Sequence, residues 1–130
     1  MSGNLKAEIT LEWADGEYLF ALKGAQIEEL EHACGKVGFG VIYQRVMLGA
    51  WFWSDLYHTV RLGLIGGGMG AIEAKRLTDF YIGKETNRPL TGPNSPEAVA
   101  RAVLGASMVG FGDLENPGEG ESRGSPASQE

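Results

Sequence analysis

The sequence predicts an α+β fold: an N-terminal β-hairpin packed on a bundle of about five short α-helices, followed by a disordered acidic C-terminal tail. Polar and apolar residues alternate near the N-terminus, which is typical of strands, and apolar residues then recur at helical spacing. From residue 112 onward Gly, Ser, Pro and Glu dominate without an aromatic residue, a composition that buries too little apolar area to fold. We therefore expect one folded domain over residues 1–111 and a disordered tail over residues 112–130.

The hairpin is the first predicted element. Every second residue from Ala7 to Trp13 is apolar, and Tyr18, Phe20 and Leu22 have the same spacing in the returning strand. Between them, Asp15-Gly16 is predicted to supply the positive φ angles of a tight turn. A two-stranded hairpin alone is only marginally stable in water, so it must pack against the helices.

Three helices are predicted after the hairpin, because apolar residues recur there at helical spacing. The first helix is expected to end where Gly35 can adopt the left-handed conformation of a C-cap. The second begins at Val41 in this interpretation, and Ser54 is the expected N-cap of the third helix, which the glycines at 66–68 terminate.

The last two predicted helices follow the glycine run. The fourth is expected from about Met69 to Ile82. The fifth has the clearest start signal, because Ser95 can cap it, Pro96 suits its first turn, and Glu97 complements the positive end of the helix dipole.

Charge and composition exclude several classes of protein. The 130 residues include 20 glycines and carry a formal net charge of −6, which argues against non-specific binding to nucleic acid or anionic membranes. The stretch from Gly112 to Glu130 holds five acids and one base, so most of this charge lies there. Cys34 is the one cysteine, which excludes an internal disulfide and a cysteine-based zinc cluster. With no signal-peptide pattern and no membrane-length apolar run, we expect a soluble protein in a reducing compartment.

One motif favours a cofactor enzyme as a remote alternative. Gly66, Gly68 and Ala71 satisfy the dinucleotide fingerprint G-x-G-x-x-G/A, with Asp79 or Glu85 downstream as candidate ribose ligands. However, a dinucleotide-binding fold needs several parallel strands, and no buried strand is predicted after the motif. A tight corner between two helices also explains the glycines, and an isolated fingerprint is a weak signal, so we expect no bound cofactor.

Other reactive residues do not form a catalytic or metal-binding pattern. His32 with Cys34 and His58 with Asp55 are the candidate pairs, each near the other in sequence. Side chains two positions apart on a helix do not face each other, which argues against a metal site or a catalytic dyad. No nucleophile elbow or phosphate-binding loop is present. The sequence therefore predicts no catalytic residues, no metal ligands and no enzyme.

The aromatic run Trp51-Phe52-Trp53 is the main candidate for a binding surface. Consecutive side chains point in different directions, so two rings are expected to enter the core while the third covers the turn. Alternatively, one or two of them are anchors for a partner, since Trp is enriched at binding hot spots. The candidate interface residues are Trp51, Trp53 and Met69.

The order of these features resembles a known family. Trp13, Ile27-Glu28-Glu29-Leu30-Glu31, Cys34-Gly35, Gly49-Ala50-Trp51 and, most specifically, Thr59 to Gly68 resemble the small tail proteins of gene transfer agents and related phage-like clusters of alphaproteobacteria. The resemblance covers about Leu5 to Gly112.

The resemblance implies a non-enzymatic component of tail morphogenesis. Members are described as tail tube proteins and as relatives of tail assembly chaperones. The low strand content favours a chaperone that holds the apolar helices of a tape-measure protein, by helix-in-groove binding, until the tube forms. The alternative is a structural tail subunit. The expected partners are the tape-measure or major tail proteins, with a homo-oligomer also open, and the expected location is the bacterial cytoplasm or the phage-like particle.

Overall fold

The computed structural model describes residues 6–110, and its elements follow the predicted order. Residues 112–130, for which a disordered tail is predicted, lie outside the described residues. The elements are β1 (Glu8–Trp13), β2 (Gly16–Ala21), α1 (Gly24–Ala33), α2 (Phe39–Met47), α3 (Trp53–Gly66), α4 (Ala71–Ile82) and α5 (Pro96–Val109). The α+β prediction is therefore confirmed. None of the helices between residues 6 and 110 is long and apolar enough to span a membrane.

The two strands pair antiparallel, but the turn differs from the predicted one. Trp13 pairs with Gly16, so the connection consists of Ala14 and Asp15 alone. The positive φ, 58°, falls on Ala14, and the prediction that Asp15-Gly16 supplies it is wrong, because neither of these two residues has a positive φ. The reason is the length of the turn: a two-residue connection places Gly16 inside β2, where it needs only ordinary strand geometry.

Helix α3 is the centre of the fold. It contacts the other four helices and β2, and most of its residues are buried. The hairpin packs its apolar face, including Trp13 and Phe20, against α3 and α5. The hairpin thus obtains from the helices the burial that two strands cannot provide for themselves.

Glycines at the C-terminal end of α3 allow it to approach β2 very closely. A Cβ on Gly66 would lie 1.9 Å from the carbonyl oxygen of Ala21, and one on Gly67 would lie 2.0 Å from that of Leu19. Gly63 faces the ring of Phe20, where a Cβ would lie 3.0 Å from Cδ2. The glycines therefore cover the outer edge of β2 at these two carbonyls, so this part of the edge is not open to a further strand.

Several predicted helix ends are confirmed and others move. The Ser95 Oγ accepts a hydrogen bond from the Ala98 N–H at 3.1 Å, which confirms the predicted cap of α5. Gly35, just after α1, has a φ of 96°, as expected. The predicted start of α3 is wrong, because Phe52, not Ser54, is its N-cap. Helix α2 begins two residues earlier than predicted and α4 two residues later.

Candidate partner-binding surface

The aromatic run occupies the turn between α2 and α3. The Trp51 indole N–H donates to Glu97 Oε2 at 2.8 Å, and the Trp53 indole N–H donates to the carbonyl of Ile82 at 3.0 Å. Both indoles are partly buried and pack against the core. Phe52, between them, is 63 % exposed. The two indoles are thus held by α5 and by the end of α4, while the phenyl ring faces solvent.

A buried carboxylate holds Phe52 in place. Asp55 Oδ2 accepts the Phe52 backbone N–H at 2.9 Å and caps α3, as acidic side chains do in a first turn. The same carboxylate accepts two hydrogen bonds from Arg45, from Nε at 3.0 Å and from Nη2 at 2.7 Å. The Arg45 guanidinium then lies 5.0 Å from the centroid of the Phe52 ring, a cation–π arrangement. The backbone of Phe52 is therefore anchored by Asp55, and its exposed ring lies against Arg45.

Apolar side chains of α2 extend the exposed area around Phe52. Val41, Arg45 and Leu48 are spaced four and three residues apart, so they share one face of the helix. Val41 is 44 % exposed and Leu48 is 79 % exposed. Val41, Arg45, Leu48 and Phe52 are called the Phe52 surface below. An exposed apolar surface of this kind is typical of a protein-binding site.

On the other side of the turn, Trp53 lines a groove of about 480 Å³ between α3 and α4. Its ring stacks on Tyr57 with the ring centroids 4.8 Å apart. Lys84, in the loop after α4, places its ammonium 5.7 Å from the Trp53 centroid. The residues lining this Trp53 groove are Trp53, Tyr57, His58, Lys75, Asp79, Gly83, Lys84 and Glu85.

The polar groups of the groove bind one another. Tyr57 Oη donates to Asp79, and the Lys75 ammonium donates to the same carboxylate at 2.7 Å. These hydrogen bonds, that of Lys75 first, lower the pKa of Asp79, while burial and the Asp79 hydrogen bond raise the pKa of Tyr57 to about 12. Because Asp79 accepts both hydrogen bonds and its pKa is lowered, its carboxylate stabilises the fold and is a poor general base.

The three predicted interface residues do not form one patch. Trp51 and Trp53 flank Phe52 at the start of α3. Met69 follows the end of α3, with its N–H bonded to the Leu64 carbonyl at 3.0 Å. A 14-residue helix separates the two sites, about 20 Å at 1.5 Å per residue. The sequence did not single out Phe52, which is the largely exposed ring of the three. The orientation of the run depends on the indole hydrogen bonds to Glu97 and Ile82, which are distant in sequence, so no local signal indicated it.

The glycine motif has a packing role in the structure. Gly66 and Gly67 lie against the β2 carbonyls, and Asp79, one of the candidate ribose ligands, is bound to Lys75 and Tyr57. The sheet described here is a single antiparallel pair, whereas a dinucleotide-binding fold requires parallel strands. The motif is therefore explained by the contact between α3 and β2.

The candidate metal or catalytic pairs are separated or occupied. Cys34 is buried, its Sγ lies 3.7 Å from the Ser54 carbonyl, and burial raises the pKa of its thiol to about 12. His32 is exposed on α1, and His58 Nδ1 lies 3.1 Å from an Arg61 nitrogen. Between residues 6 and 110, no group of three or more His, Cys, Asp or Glu side chains could hold a metal ion.

Comparison with known proteins identifies the family. A family model described as "Phage tail tube protein, GTA-gp10" matches residues 6–110, the whole of the described domain. No curated protein and no solved structure matches the chain significantly. Because the match covers most of the sequence, from β1 through α5, the chain belongs to this family of phage and gene transfer agent tail proteins.

Proposed function

We propose that the protein is a tail assembly chaperone that binds the tape-measure protein through the Phe52 surface. Membership in a phage tail family supports a non-enzymatic role in the tail. The observation that carries the finer proposal is Phe52, a largely exposed aromatic residue whose backbone N–H is bound by a buried carboxylate and whose ring lies against Arg45. Large, pre-organised aromatic side chains are the residues on which protein interfaces most often depend.

The chemistry of the Phe52 surface suits an amphipathic helix. Val41, Leu48 and Phe52 offer apolar contacts over two turns of α2 and the turn beyond it. Burying one such side chain contributes about 1.5–3 kcal/mol. The apolar face of a tape-measure helix would become buried in the same contact. Such binding would keep an elongated apolar partner in solution until the tube covers it.

The small sheet supports a chaperone over a tube subunit. A tube subunit normally contributes a sizeable sheet that joins its neighbours into a ring. The described residues form one pair of strands, and α3 glycines cover the outer edge of β2 at Leu19 and Ala21. A sheet of two strands with part of its β2 edge covered favours a chaperone over a subunit of the tube wall.

In this proposal the flanking residues have different roles. Trp51 and Trp53 position the turn through their indole hydrogen bonds and offer their exposed edges to the partner. Met69 lies at the far end of α3 and would need a separate contact with a long helix. The principal contact is therefore expected at Phe52, with a smaller contribution from Met69.

Co-purification with the tape-measure protein tests the proposal. The full chain is co-expressed with the tape-measure protein of its own gene cluster, and capture is compared with that by Phe52→Ala. Ile72→Ala is the matched control, because Ile72 is 86 % exposed on α4, away from the Phe52 surface. We expect Phe52→Ala to lose capture and Ile72→Ala to retain it. Equal capture by both variants would exclude Phe52 as the contact.

The structural-subunit alternative is distinguished by where the protein accumulates. Quantitative mass spectrometry compares purified particles with the lysate of the producing cells. A chaperone is abundant in the cytoplasm and absent from the mature particle. A fixed, high copy number relative to the capsid protein would make the chain a tail subunit and overturn the proposal.

A further inference from the structure

We propose that an acidic segment of the chain's own C-terminal region, centred on Glu119 and Glu121, binds a cationic rim that Lys84 and Arg88 form beside Trp53. This contact does not depend on the chaperone role, since Lys84 and Arg88 lie outside the Phe52 surface and the segment that binds them belongs to this chain. It assigns a role to the acidic region, which the proposed function leaves unused.

The cationic rim is built from two bases that lie on aromatic rings. Lys84 Nζ lies 5.7 Å from the Trp53 centroid, and Arg88 Cζ lies 4.8 Å from the Tyr81 centroid. A second groove, of about 400 Å³, runs between them past Trp53. Among the described residues, the ion pairs engage other bases, and neither Lys84 nor Arg88 has a carboxylate partner. Trp53 and Tyr81 thus orient the Lys84 ammonium and the Arg88 guanidinium, and both cations can bind an anion.

Charge complementarity points to the C-terminal region. Helix α4 and the loop that follows it carry four bases and three acids, in a chain whose net charge is −6. The stretch from Gly112 to Glu130 carries five acids and one base. Opposite potentials of this kind favour association, and a tether raises the local concentration of the acidic segment to about the millimolar range.

Chain length selects which acids can reach the rim. The Glu97 N–H donates to the Leu90 carbonyl at 3.0 Å, so the loop that carries Lys84 and Arg88 contacts the first turn of α5. Gly110, where the described chain ends, follows the last turn of α5. These two ends of α5 are about 20 Å apart at 1.5 Å per residue. At about 3.3 Å per residue, Asp113 can lie only about 10 Å from Gly110, whereas Glu119 can lie about 30 Å from it. Glu119 and Glu121 reach the rim with slack, and Asp113 does not.

Zero-length cross-linking of the full chain tests this contact. A carbodiimide joins a lysine amine to a carboxylate in direct contact, and peptide mass spectrometry locates the link. An equal mixture of unlabelled and ¹⁵N-labelled chains separates links within a chain from links between chains. We expect links from Lys84 to Glu119 or Glu121 within one chain, lost at about 1 M salt, where the Debye length is only about 3 Å.

Two comparisons make the result decisive. Arg88→Gln should reduce the Lys84 link while leaving the Lys84 amine in place, whereas Arg76→Gln, on α4 and paired with Glu73, should not. Lys36, exposed in the turn after α1, is the control amine. Links to Lys36 as frequent as those to Lys84 would overturn the proposal, and so would links formed only between chains.

Discussion

The Asp55 carboxylate is fully buried and accepts hydrogen bonds from the Arg45 guanidinium at 2.7 and 3.0 Å. Arg45 lies on α2 and Asp55 in the first turn of α3, so the ion pair joins two helices across the aromatic turn. Because Asp55 also accepts the Phe52 N–H, one carboxylate anchors the backbone at the start of α3 and holds the guanidinium that lies against the exposed ring.

Removing this carboxylate should destabilise the protein strongly. Asp55→Ala leaves the Arg45 guanidinium without its partner and α3 without its cap, and we expect a loss of about 3 kcal/mol in the free energy of unfolding. Denaturant unfolding followed by circular dichroism measures it. Glu73→Ala is the control, since Glu73 pairs with Arg76 at an exposed site and should matter little. Equal effects of the two substitutions would mean that the buried pair has no special role.

Substitutions of the three aromatic residues of the turn should differ in their effect on stability. Trp51→Ala and Trp53→Ala each remove an indole hydrogen bond and partly buried area, so we expect each to cost about 2 kcal/mol. Phe52→Ala removes a largely exposed ring and should leave the thermal melting temperature nearly unchanged. Melting curves of the three variants test this order. A large loss of stability in Phe52→Ala would show that its ring belongs to the core.

The glycines at the end of α3 should differ sharply in their tolerance of a methyl group. Gly66→Ala would place a Cβ 1.9 Å from a β2 carbonyl oxygen, so helix and strand must move apart, at a cost of about 3 kcal/mol or more. Gly68→Ala meets open space, but its φ of +115° is strained for any L side chain, so a smaller loss is expected. Unfolding free energies of the two variants give the comparison.

Gly40→Ala is the matched control for the glycine substitutions. Gly40 lies in the first turn of α2, without a positive φ and with nothing within 4 Å of an added Cβ. Alanine is the better helix former, so this variant should gain about 0.4–1 kcal/mol. If Gly66→Ala were tolerated as well as Gly40→Ala, the close contact of α3 with β2 would be wrong.

The hairpin turn offers a stabilising substitution at a place the sequence did not indicate. Ala14 has a φ of 58°, a conformation that costs a residue with a Cβ about 1–2 kcal/mol. Ala14→Gly should therefore raise the melting temperature. Gly16→Val should be tolerated, because Gly16 is a strand residue whose nearest neighbour is 4.0 Å from an added Cβ. Loss of the hairpin in Gly16→Val would restore the original prediction.

Local patterns predicted the elements, whereas long-range contacts determined the details that the sequence could not provide. The period of two in β1 and the Ser95-Pro96 start of α5 are local signals, and both were sufficient. Ser54 was the better cap candidate in sequence, but the N-cap is Phe52, whose N–H is bound by Asp55, and Arg45, ten residues from Asp55 and on another helix, holds that carboxylate. Likewise, the contact of Gly66 with Ala21 joins residues 45 positions apart, so the sequence revealed a corner but not its partner.

Acid should destabilise the protein through His58. Burial, followed by the cation of Arg61, lowers the pKa of His58 below its ordinary value of 6.5, although Glu29 and Asp55 act in the opposite direction. The unfolded chain therefore binds more protons than the folded chain near this pH, and the free energy of unfolding must fall as the pH drops from 7 to 5. His58→Gln removes the titrating group and should flatten this part of the pH profile.

His32→Gln provides the control for the pH profile. His32 is exposed on α1, outside the Trp53 groove, and its removal should leave the slope between pH 7 and 5 intact. Thermal melting of the protein and both variants at pH 5, 6 and 7 measures the difference. A slope unchanged in His58→Gln would mean that carboxylates, not this imidazole, cause the loss of stability. A slope abolished in His32→Gln would move the effect to α1 and away from the groove.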